Sequence, residues 1–526
     1  MLPVLSASEM RFADENTIKY IGMPQLVLME RAALESKRVI SEHYQKLLSD
    51  NAKILIVAGK GNNGGDGVAL ARLFYLSGYD VTVYVSSERE HFSEALKKQL
   101  EIADFYHIKI ESDYETIKNQ KYTFIIDALF GIGLGRNLSD EYQQLISDLN
   151  QMSAVKVALD IPSGVSADDG YIFGTAFRAD MTITFGFLKT GLLLYPGKTY
   201  CGNVIVADIG IDSFGFMDRI PCGYTYPRDL KTTDIFNKRT DNSHKGTYGK
   251  VLLVAGSENA PGAALLAGKS VLRTGAGMLK VLTPLCNKEL LLSNLPEAMF
   301  ADSEQADIKE EIKWCDQIVL GPGLGKTENT KRLFMDIVKT LLEECSNGEI
   351  SKEAFRLSLV IDADGLNLIS EYEDLYKNVQ TLAKYIPIVL TPHMAELARL
   401  MKTSVKELSE NRVALLNTFC KKMGCIVVSK DAVSLVGMYT DAFRFYVNQT
   451  GNNGMATAGS GDVLAGIIGA VLAGIKNKSF ENCFDGTVHA VYLHGMAGDM
   501  AAEKAGKASM LAGDIIGQLP ILLKEL

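Results

Sequence analysis

Short runs of β-branched residues alternate with longer helical patterns along almost the whole chain. This alternation is typical of α/β domains built on parallel sheets. It breaks between residues 213 and 246, where prolines and a polar stretch interrupt the rhythm, and then restarts. We therefore expect two α/β domains, spanning residues 1–218 and 225–526. The predicted strands are residues 53–58, 81–85, 123–128, 155–160, 181–185 and 203–208 in the first domain, and 250–255, 279–283, 317–320, 359–363, 387–390 and 426–430 in the second, followed by a hairpin of residues 434–438 and 444–447.

Composition argues against several classes of protein. A net charge of −9 disfavours nucleic acid or an anionic membrane as the main partner. The eight cysteines form no Cys-x-x-Cys pair and only seven histidines accompany them, so we expect free thiols in a reducing compartment rather than a zinc site. The amino terminus has no basic region followed by a long apolar core, and the longest apolar run, residues 463–475, is too short to cross a bilayer. We expect a cytoplasmic protein.

The first predicted strand runs directly into a glycine-rich segment, Gly59-Lys-Gly-Asn-Asn-Gly-Gly-Asp-Gly67, and a helical pattern begins at Val68. A strand, a glycine loop and a helix in this order form the phosphate-binding arrangement of a Rossmann-like doubly wound sheet. The usual dinucleotide fingerprint is incomplete, because no acidic residue ends the next strand. A plain dehydrogenase is therefore a weaker alternative, as is a purely structural turn.

Polar residues follow the ends of two further strands in the first domain. Asp127 and Asp160 stand at predicted strand ends, and Ser163 follows Asp160 by three positions. Carboxyl ends of parallel strands line one crevice, so these residues and Asn63 are expected to converge. A lone aspartate at a strand end is also a common helix cap. Oxygen donors without cysteine or histidine suit a hard cation such as potassium or magnesium.

These motifs together resemble the NAD(P)H-hydrate epimerase family over residues 1–212. The resemblance implies that Asn63, Asp127 and Ser163 hold a potassium ion and that Asp160 is the catalytic group at the hydrated ring. It further implies that the nucleotide substrate is bound by Asn62, Asn63, Gly64, Gly65, Asp66, Gly131, Ile132, Gly133, Leu134, Gly135, Arg136, Asn137 and Asp160. One departure is Arg31, which stands where the family usually has asparagine.

A second glycine-rich segment, residues 451–466, delivers Asp462 to the start of an apolar helix predicted over residues 463–475. Glycines accept the φ > 0 conformations that turn backbone N–H groups toward an anion, and the helix adds the positive end of its dipole. A carboxylate there would work beside a phosphate. The segment therefore predicts a phosphoryl-transfer site with Asp462 as base. The alternative is a glycine-rich cap before a buried helix.

Four other loops stand beside it, at residues 244–249, 321–325, 362–367 and 391–396. With Gly454-Met-Ala-Thr-Ala-Gly-Ser-Gly-Asp462 they resemble the ribokinase-like fold and, within it, the ADP- or ATP-dependent NAD(P)H-hydrate dehydratases. The resemblance implies that Ala263, Ala264, Gly323, His393 and Asp462 contact the hydrated dinucleotide. It places the nucleotide co-substrate on Lys430, Asp431, Ala432, Val433, Ser434 and Gly461. Asp431 replaces the usual glycine and Asn453 a common proline; an extra carboxylate near phosphates works against nucleotide binding.

The two resemblances imply a bifunctional repair enzyme for hydrated NADH and NADPH. The first domain would interconvert the R and S epimers, and the second would dehydrate the S form at the expense of ADP (favoured) or ATP, with potassium and magnesium as cofactors. A homo-oligomer is expected, with no nucleic acid or membrane partner. The alternative is a ribokinase-like small-molecule kinase carrying a non-catalytic N-terminal binding domain.

Overall fold

A computed structural model describes residues 1–49, 51–347 and 356–526. The chain separates into two compact units, residues 2–224 and residues 225–526. The division falls within residues 213–246, where the strand-and-helix rhythm of the sequence breaks. None of the helices in the described part of the chain is long and apolar enough to cross a membrane.

The N-terminal unit is built on a seven-stranded sheet in which all neighbouring strands are parallel. The central strand sends Ile54 and Ile56 into one hydrophobic core and Leu55 and Val57 into another. Because alternate residues of a strand point to opposite faces, both faces of this sheet are covered, as in a doubly wound fold. Across the sheet the strands are Lys109–Glu111, Asp80–Val85, Lys53–Ala58, Phe124–Ala128, Val155–Leu159, Met181–Phe185 and Asn203–Ala207. The helices are Ala7–Asn16, Gln25–His43, Asn62–Tyr75, Glu94–Phe105, Glu115–Lys118, Asp140–Gln151 and Lys198–Cys201.

The C-terminal unit carries a mixed sheet that is parallel until its final hairpin. Across the sheet its strands are Met299–Asp302, Met278–Thr283, Lys250–Val254, Gln317–Leu320, Ser358–Ile361, Ile388–Leu390, Ile426–Ser429, Leu435–Tyr439 and Phe443–Val447. The helices are Pro261–Arg273, Lys288–Asn294, Ile308–Trp314, Glu328–Ser346, Asp364–Glu371, Glu373–Leu382, Met394–Met401, Val405–Glu410, Arg412–Met423, Ser460–Ala473, Phe480–Ala505 and Ala512–Leu522. The predicted α/β fold class and the predicted hairpin are confirmed.

Both glycine-rich segments differ from the prediction in the same way, because the helix begins earlier. The first helix starts at Asn62 rather than Val68, and the second starts at Ser460 rather than Val463. In the first segment the glycines serve close packing: a Cβ on Gly64 would stand 1.9 Å from the Gly59 carbonyl oxygen. Such glycines are helical, and the positive φ that the sequence predicted occurs in the second segment at Gly451 and Gly459.

Candidate functional sites

A cavity of about 660 Å³ lies in the N-terminal unit, beside the residues that follow its central strands. Most of the predicted substrate-binding residues line it, namely Asn62, Asn63, Asp66, Gly131, Ile132, Gly133, Leu134, Gly135, Arg136 and Asp160. Gly64, Gly65 and Asn137 do not line it, and the two glycines are buried in the helix packing. The cavity also takes in Asp14 and Lys189, which the sequence did not single out.

Asp160 follows the strand Val155–Leu159 and is buried, with a φ of 63° that non-glycine residues rarely adopt. Its Oδ1 accepts a hydrogen bond of 2.7 Å from the ammonium of Lys189, and Thr184 Oγ1 lies 3.5 Å away. Unusual backbone conformations of this kind cluster at functional sites. The geometry presents a buried carboxyl group, paired with a lysine, to a cavity of ligand size.

Two more carboxyl groups face the same cavity. Burial, followed by the neighbouring Asp160 and Asp14 carboxylates, raises the pKa of Asp66 well above its usual value. Burial and Asp160 likewise raise the pKa of Asp14. Carboxyl groups whose pKa is raised by burial and by neighbouring like charges, and which line a cavity, are candidates for acid–base chemistry. Asp14 lies within the helix Ala7–Asn16, where the sequence carries no strand-end or glycine signal for a site.

The predicted potassium ligands include a buried carboxylate, that of Asp127. Asp127 is wholly buried, and burial raises its pKa to about 6. It accepts hydrogen bonds from Ser163 Oγ at 2.6 Å and from Ser163 N at 2.7 Å. The side-chain oxygen Oδ1 of Asn63 is buried and has no hydrogen-bond partner in the described part of the chain. An orphaned amide oxygen and a buried carboxylate are donors that fit a hard monovalent cation.

Arg31 lies outside this cavity. Its guanidinium is 3.7 Å from Asp208 Oδ1, and its Nη1 stands 2.3 Å from the point where a Cβ of Gly210 would be. It is not among the residues that line the cavity. The departure from the family pattern at this position therefore puts no side chain into the lining of the predicted substrate pocket.

In the C-terminal unit a second group of charged residues surrounds the start of the helix Ser460–Ala473. Burial raises the pKa of Asp462 to about 6, and the nearby carboxylates Asp362 and Asp364 add to the shift while Lys430 opposes it. Asp362 is buried and accepts hydrogen bonds of 2.7 Å from Lys430 Nζ and from Thr391 Oγ1. The structure thus brings the predicted base and a predicted nucleotide-binding lysine to one place. The structure adds Asp362 to them; the sequence predicts its loop to lie near the site but gives Asp362 no role.

The glycine-rich segment leaves room beside this group. A Cβ on Gly461 would lie 3.3 Å from Lys430 Nζ and 3.9 Å from Asp362 Oδ2. The helix carrying Asp462 packs on the helix Pro261–Arg273, since a Cβ on Gly459 would stand 2.4 Å from Leu266. The first turn of a helix has N–H groups without intrahelical partners and carries the positive end of the dipole, and Gly461 lies in that turn.

His393 caps the helix Met394–Met401 and is held in one tautomer. The backbone N–H groups of Ala395 and Glu396 donate to its Nδ1 at 3.2 Å and 3.4 Å, so the ring proton of the neutral imidazole lies on Nε2. Burial lowers the pKa of His393, and Lys430 and Arg399 lower it further. His393 is joined to Lys430 through a parallel bridge, in which the N–H of Lys430 donates to Pro392. His393 is thus a neutral hydrogen-bond donor that lies next to the charged Lys430.

The other predicted substrate-binding residues of this unit, Gly323, Ala263 and Ala264, each pack closely against a neighbour. A Cβ on Gly323, where φ is +58°, would stand 2.6 Å from the Cβ of Ala263. A Cβ on Gly256 would lie 3.0 Å from that of Ala264. Gly323 and Ala263 therefore share one surface, whereas Ala264 is buried against Gly256.

Asp431 is neutralised by a residue that the sequence did not single out. The guanidinium of Arg412, which is 4% exposed, lies 3.2 Å from Asp431 Oδ2 and donates to the carbonyls of Ser429 and Val433 at 2.6 Å and 2.9 Å. The expected repulsion between Asp431 and phosphates is therefore offset by an adjacent cation. The side chain of Val433 is buried, so only its backbone is available to a ligand.

The loop before Asp462 is fixed from another helix. Asp499 accepts hydrogen bonds from Gly451 N at 2.9 Å and from Asn452 Nδ2 at 3.0 Å. Asn453 begins a single 3₁₀ turn, Asn453–Met455, which Asn452 caps. In the described part of the chain no group of three or more His, Cys, Asp or Glu side chains could hold a metal ion.

Comparison with known proteins gives consistent matches. The family model described as NAD(P)H-hydrate dehydratase matches residues 251–520, and the one described as YjeF-related protein N-terminus matches residues 25–191. The bifunctional NAD(P)H-hydrate repair enzyme Nnr of Moorella thermoacetica is 32% identical to this chain, and the match covers 99% of this chain and 97% of that enzyme. The enzyme of the same name from Escherichia coli is also 32% identical, and the match covers 98% of this chain and 92% of that enzyme. The crystal structure of an ADP/ATP-dependent NAD(P)H-hydrate dehydratase from Bacillus subtilis, co-crystallized with ATP/Mg2+, is 27% identical, covers 56% of this chain and 96% of its own, and has a TM-score of 0.44.

Proposed function

Since the chain belongs to the family of bifunctional NAD(P)H-hydrate repair enzymes, we propose that its N-terminal unit epimerises hydrated NADH and NADPH at C6 and that its C-terminal unit dehydrates the S epimer. In these substrates water has added across the C5–C6 double bond of the nicotinamide ring. The observation that carries the proposal is that each unit gathers buried carboxylates where the family resemblance places its chemistry. Asp160 and Asp462 are the two proposed catalytic groups.

For the epimerase, Asp160 is the group that moves the proton. C6 of the hydrated ring carries the hydroxyl and is bonded to N1. When the carboxylate takes the hydroxyl proton, the O–H electron pair forms a C6=O bond, the C6–N1 bond breaks, and N1 takes up the proton. Closure of the ring on the other face of the carbonyl inverts C6 and returns the proton to oxygen. Burial of Asp160 in a cavity of about 660 Å³ supports this role.

Potassium is the proposed cation of the N-terminal unit, held by Asn63, Asp127 and Ser163. When bound it would neutralise the buried Asp127 carboxylate and fix the loop that leads from Asp127 to Gly131. The orphaned Oδ1 of Asn63 supports its presence there.

For the dehydratase, Asp462 takes the proton of the C6 hydroxyl, and the oxygen attacks the terminal phosphoryl group of ADP. The bond from that phosphorus to the bridging oxygen breaks and AMP leaves. The N1 lone pair then expels phosphate from C6, and loss of a C5 proton restores the double bond. The hydroxyl is a poor leaving group and phosphate a good one, which explains the need for a nucleotide. A pKa of about 6 leaves Asp462 mostly ionised at neutral pH.

The nucleotide is proposed to lie along Lys430 to Ser434 with its phosphates at Gly461, and ADP is favoured over ATP because fused single chains resemble the bacterial form of the family. Magnesium usually enters such sites bound to phosphates and to one or two carboxylates. Asp362 and Asp364 are the carboxylates that fit. When bound, magnesium would neutralise charge on the transferring phosphoryl group.

A single assay of the full chain tests both activities. A mixture of R and S hydrates is incubated with magnesium, potassium and either ADP or ATP, and recovery of the reduced-nicotinamide absorbance is followed. Complete recovery supports both activities, and the faster nucleotide identifies the phosphoryl donor. Recovery of the S portion alone would contradict the epimerase, and a stable phosphorylated product would instead establish the kinase. Asp160→Asn should lose epimerisation and keep S-form dehydration.

A further inference from the structure

Lys189 is a buried lysine whose hydrogen-bonding capacity is used up. It is the last residue of the short strand Leu188–Lys189 and has no exposed surface. An ammonium group carries three hydrogens, and its Nζ donates to Asp160 Oδ1 at 2.7 Å, Thr184 Oγ1 at 2.9 Å and the Phe185 carbonyl at 2.7 Å. No hydrogen remains for a ligand. Lys189 therefore acts on a substrate only through the residues it binds.

The contact leaves one oxygen of Asp160 available. Oδ1 is bound by Lys189, whereas Oδ2 lies 3.1 Å from the point where a Cβ of Gly131 would stand. Gly131 lines the cavity and opens the segment that the resemblance assigns to the nucleotide substrate. Gly131 has no side chain to stand beside Oδ2, and no hydrogen bond to Oδ2 occurs in the described part of the chain.

Other carboxyl groups lie near Asp160, so a carboxylate there needs an opposite charge beside it. Asp14 and Asp66 line the same cavity; burial raises the pKa of both of these groups, and the neighbouring Asp160 carboxylate raises it further. Arg11, Lys60 and Arg136 also line the cavity, but all three are exposed and no ion pair joins them to Asp160 in the described part of the chain. The ion pair with Lys189 thus supplies the opposite charge beside Asp160, which stabilises an ionised carboxylate.

We propose, on the premise of the epimerase activity proposed above, that Lys189 is a positioning residue of that reaction, which keeps Asp160 ionised and aims Oδ2 at the C6 hydroxyl of the hydrated ring. Thr184 and the Phe185 carbonyl hold the ammonium in place from the neighbouring strand end. Removing the cation would leave three carboxyl groups to share the cavity. Asp160 would then face the two other carboxyl groups without a buried cation beside it, which disfavours its action as a base.

The test compares Lys189→Met with Lys189→Arg in the full chain. Epimerisation of a purified R hydrate is measured from pH 5 to 9 by chromatographic separation of the epimers, and S-form dehydration in the same preparation reports on the other unit. Lys53→Met is the matched control. Lys53 is an exposed lysine at the start of the strand Lys53–Ala58, whereas the cavity lies beside residues that follow the strand ends. We expect Lys189→Met to lose roughly 10²-fold or more in epimerisation at neutral pH, with the acidic limb of its rate–pH profile moved to higher pH. Lys189→Arg should lose less and keep the limb of the wild type.

Several outcomes would overturn the proposal. A Lys189→Met protein with the rate and pH profile of the wild type would show that the lysine has no such role. An equal loss in both variants without movement of the pH limb would point to a structural role alone. If Lys189→Met does not fold, Lys189→Gln, which keeps donors without charge, takes its place with the same expectation. Absence of epimerisation in the wild type would refute the proposed function itself, which distinguishes that failure from failure of the lysine.

Discussion

Lys430 donates a hydrogen bond of 2.7 Å to Asp362, and its ammonium lies 3.3 Å from the point where a Cβ of Gly461 would stand. The pair joins the loops that follow two strands, beside the start of the helix that carries Asp462. A cation at the anion-binding end of a helix reinforces the field that the helix supplies. The same cation opposes the rise in the pKa of Asp462. Lys430 is therefore expected to act on both the nucleotide and the base.

Lys430→Met should weaken nucleotide binding and move the acidic limb of the dehydratase rate to higher pH. The shift is expected to be on the order of one pH unit, equivalent to about 1.4 kcal/mol, since a partly buried cation near the carboxylate is lost. The measurement is kcat/KM for the S hydrate against pH, with the KM of ADP at saturating hydrate. Lys406→Met, which removes an exposed lysine paired with Glu410, is the control. An unchanged pH profile with unchanged KM would contradict both roles.

Dehydration in the wild type should fall as the pH drops through about 6. Asp462 serves as a base only when ionised, and burial raises its pKa to about 6. The rate should therefore decrease about tenfold per pH unit below that value and level off above it. Asp462→Asn should lose roughly 10²–10⁴-fold, or about 3–5.5 kcal/mol of transition-state stabilisation. Turnover that stays level down to pH 4.5, or an active folded Asp462→Asn protein, would exclude Asp462 as the base.

The central strands were predictable because parallel strands covered on both faces are continuous apolar runs. Residues 53–58 and 181–185 were predicted with the bounds that the structure has. The edge strand Lys109–Glu111 was not predicted, since it is short and contains two charged residues. The start of the helix Asn62–Tyr75 was placed six residues late, because helical glycines are decided by tertiary contacts: a Cβ on Gly67 would stand 2.6 Å from that of Ala128. Local sequence signals cannot contain that information.

The same limit applies to the sites. Asp160 and Asp462 follow a strand and a glycine-rich segment, so the sequence marks them. Lys189, Asp14 and Arg412 reach the sites from elements without such a signal, and only the fold brings them together. The isolated lysine that follows the apolar pair Phe187-Leu188 is a local hint of a buried cation. The catalytic and ligand assignments themselves stay predictions.

Arg412→Met should destabilise the C-terminal unit and the loop that follows Ser429. The buried guanidinium donates to the carbonyls of Ser429 and Val433, and these acceptors would be left unpaired together with Asp431. We expect a loss of about 3 kcal/mol or more in the free energy of unfolding, and a weaker affinity for ADP. Arg412→Lys keeps the charge but cannot reach all partners, so its stability and its affinity for ADP should lie between those of the wild type and of Arg412→Met. Urea unfolding and calorimetric titration with ADP check this, and a stable variant with normal affinity would contradict it.

Potassium should stabilise the N-terminal unit, and Asp127→Asn should remove the effect. A ligand that binds only the folded state adds RT ln(1 + [L]/Kd), which is about 2.7 kcal/mol at one hundred times Kd. The buried Asp127 carboxylate and the orphaned Asn63 Oδ1 are the atoms that would gain a partner. Thermal unfolding is compared in potassium chloride and in tetramethylammonium chloride at equal ionic strength, since the larger cation cannot enter a site made for potassium. Asp127→Asn loses the charge that attracts the ion but keeps the shape of the side chain, so its unfolding temperature should be equal in the two salts. A potassium effect that survives in this variant would place the ion elsewhere.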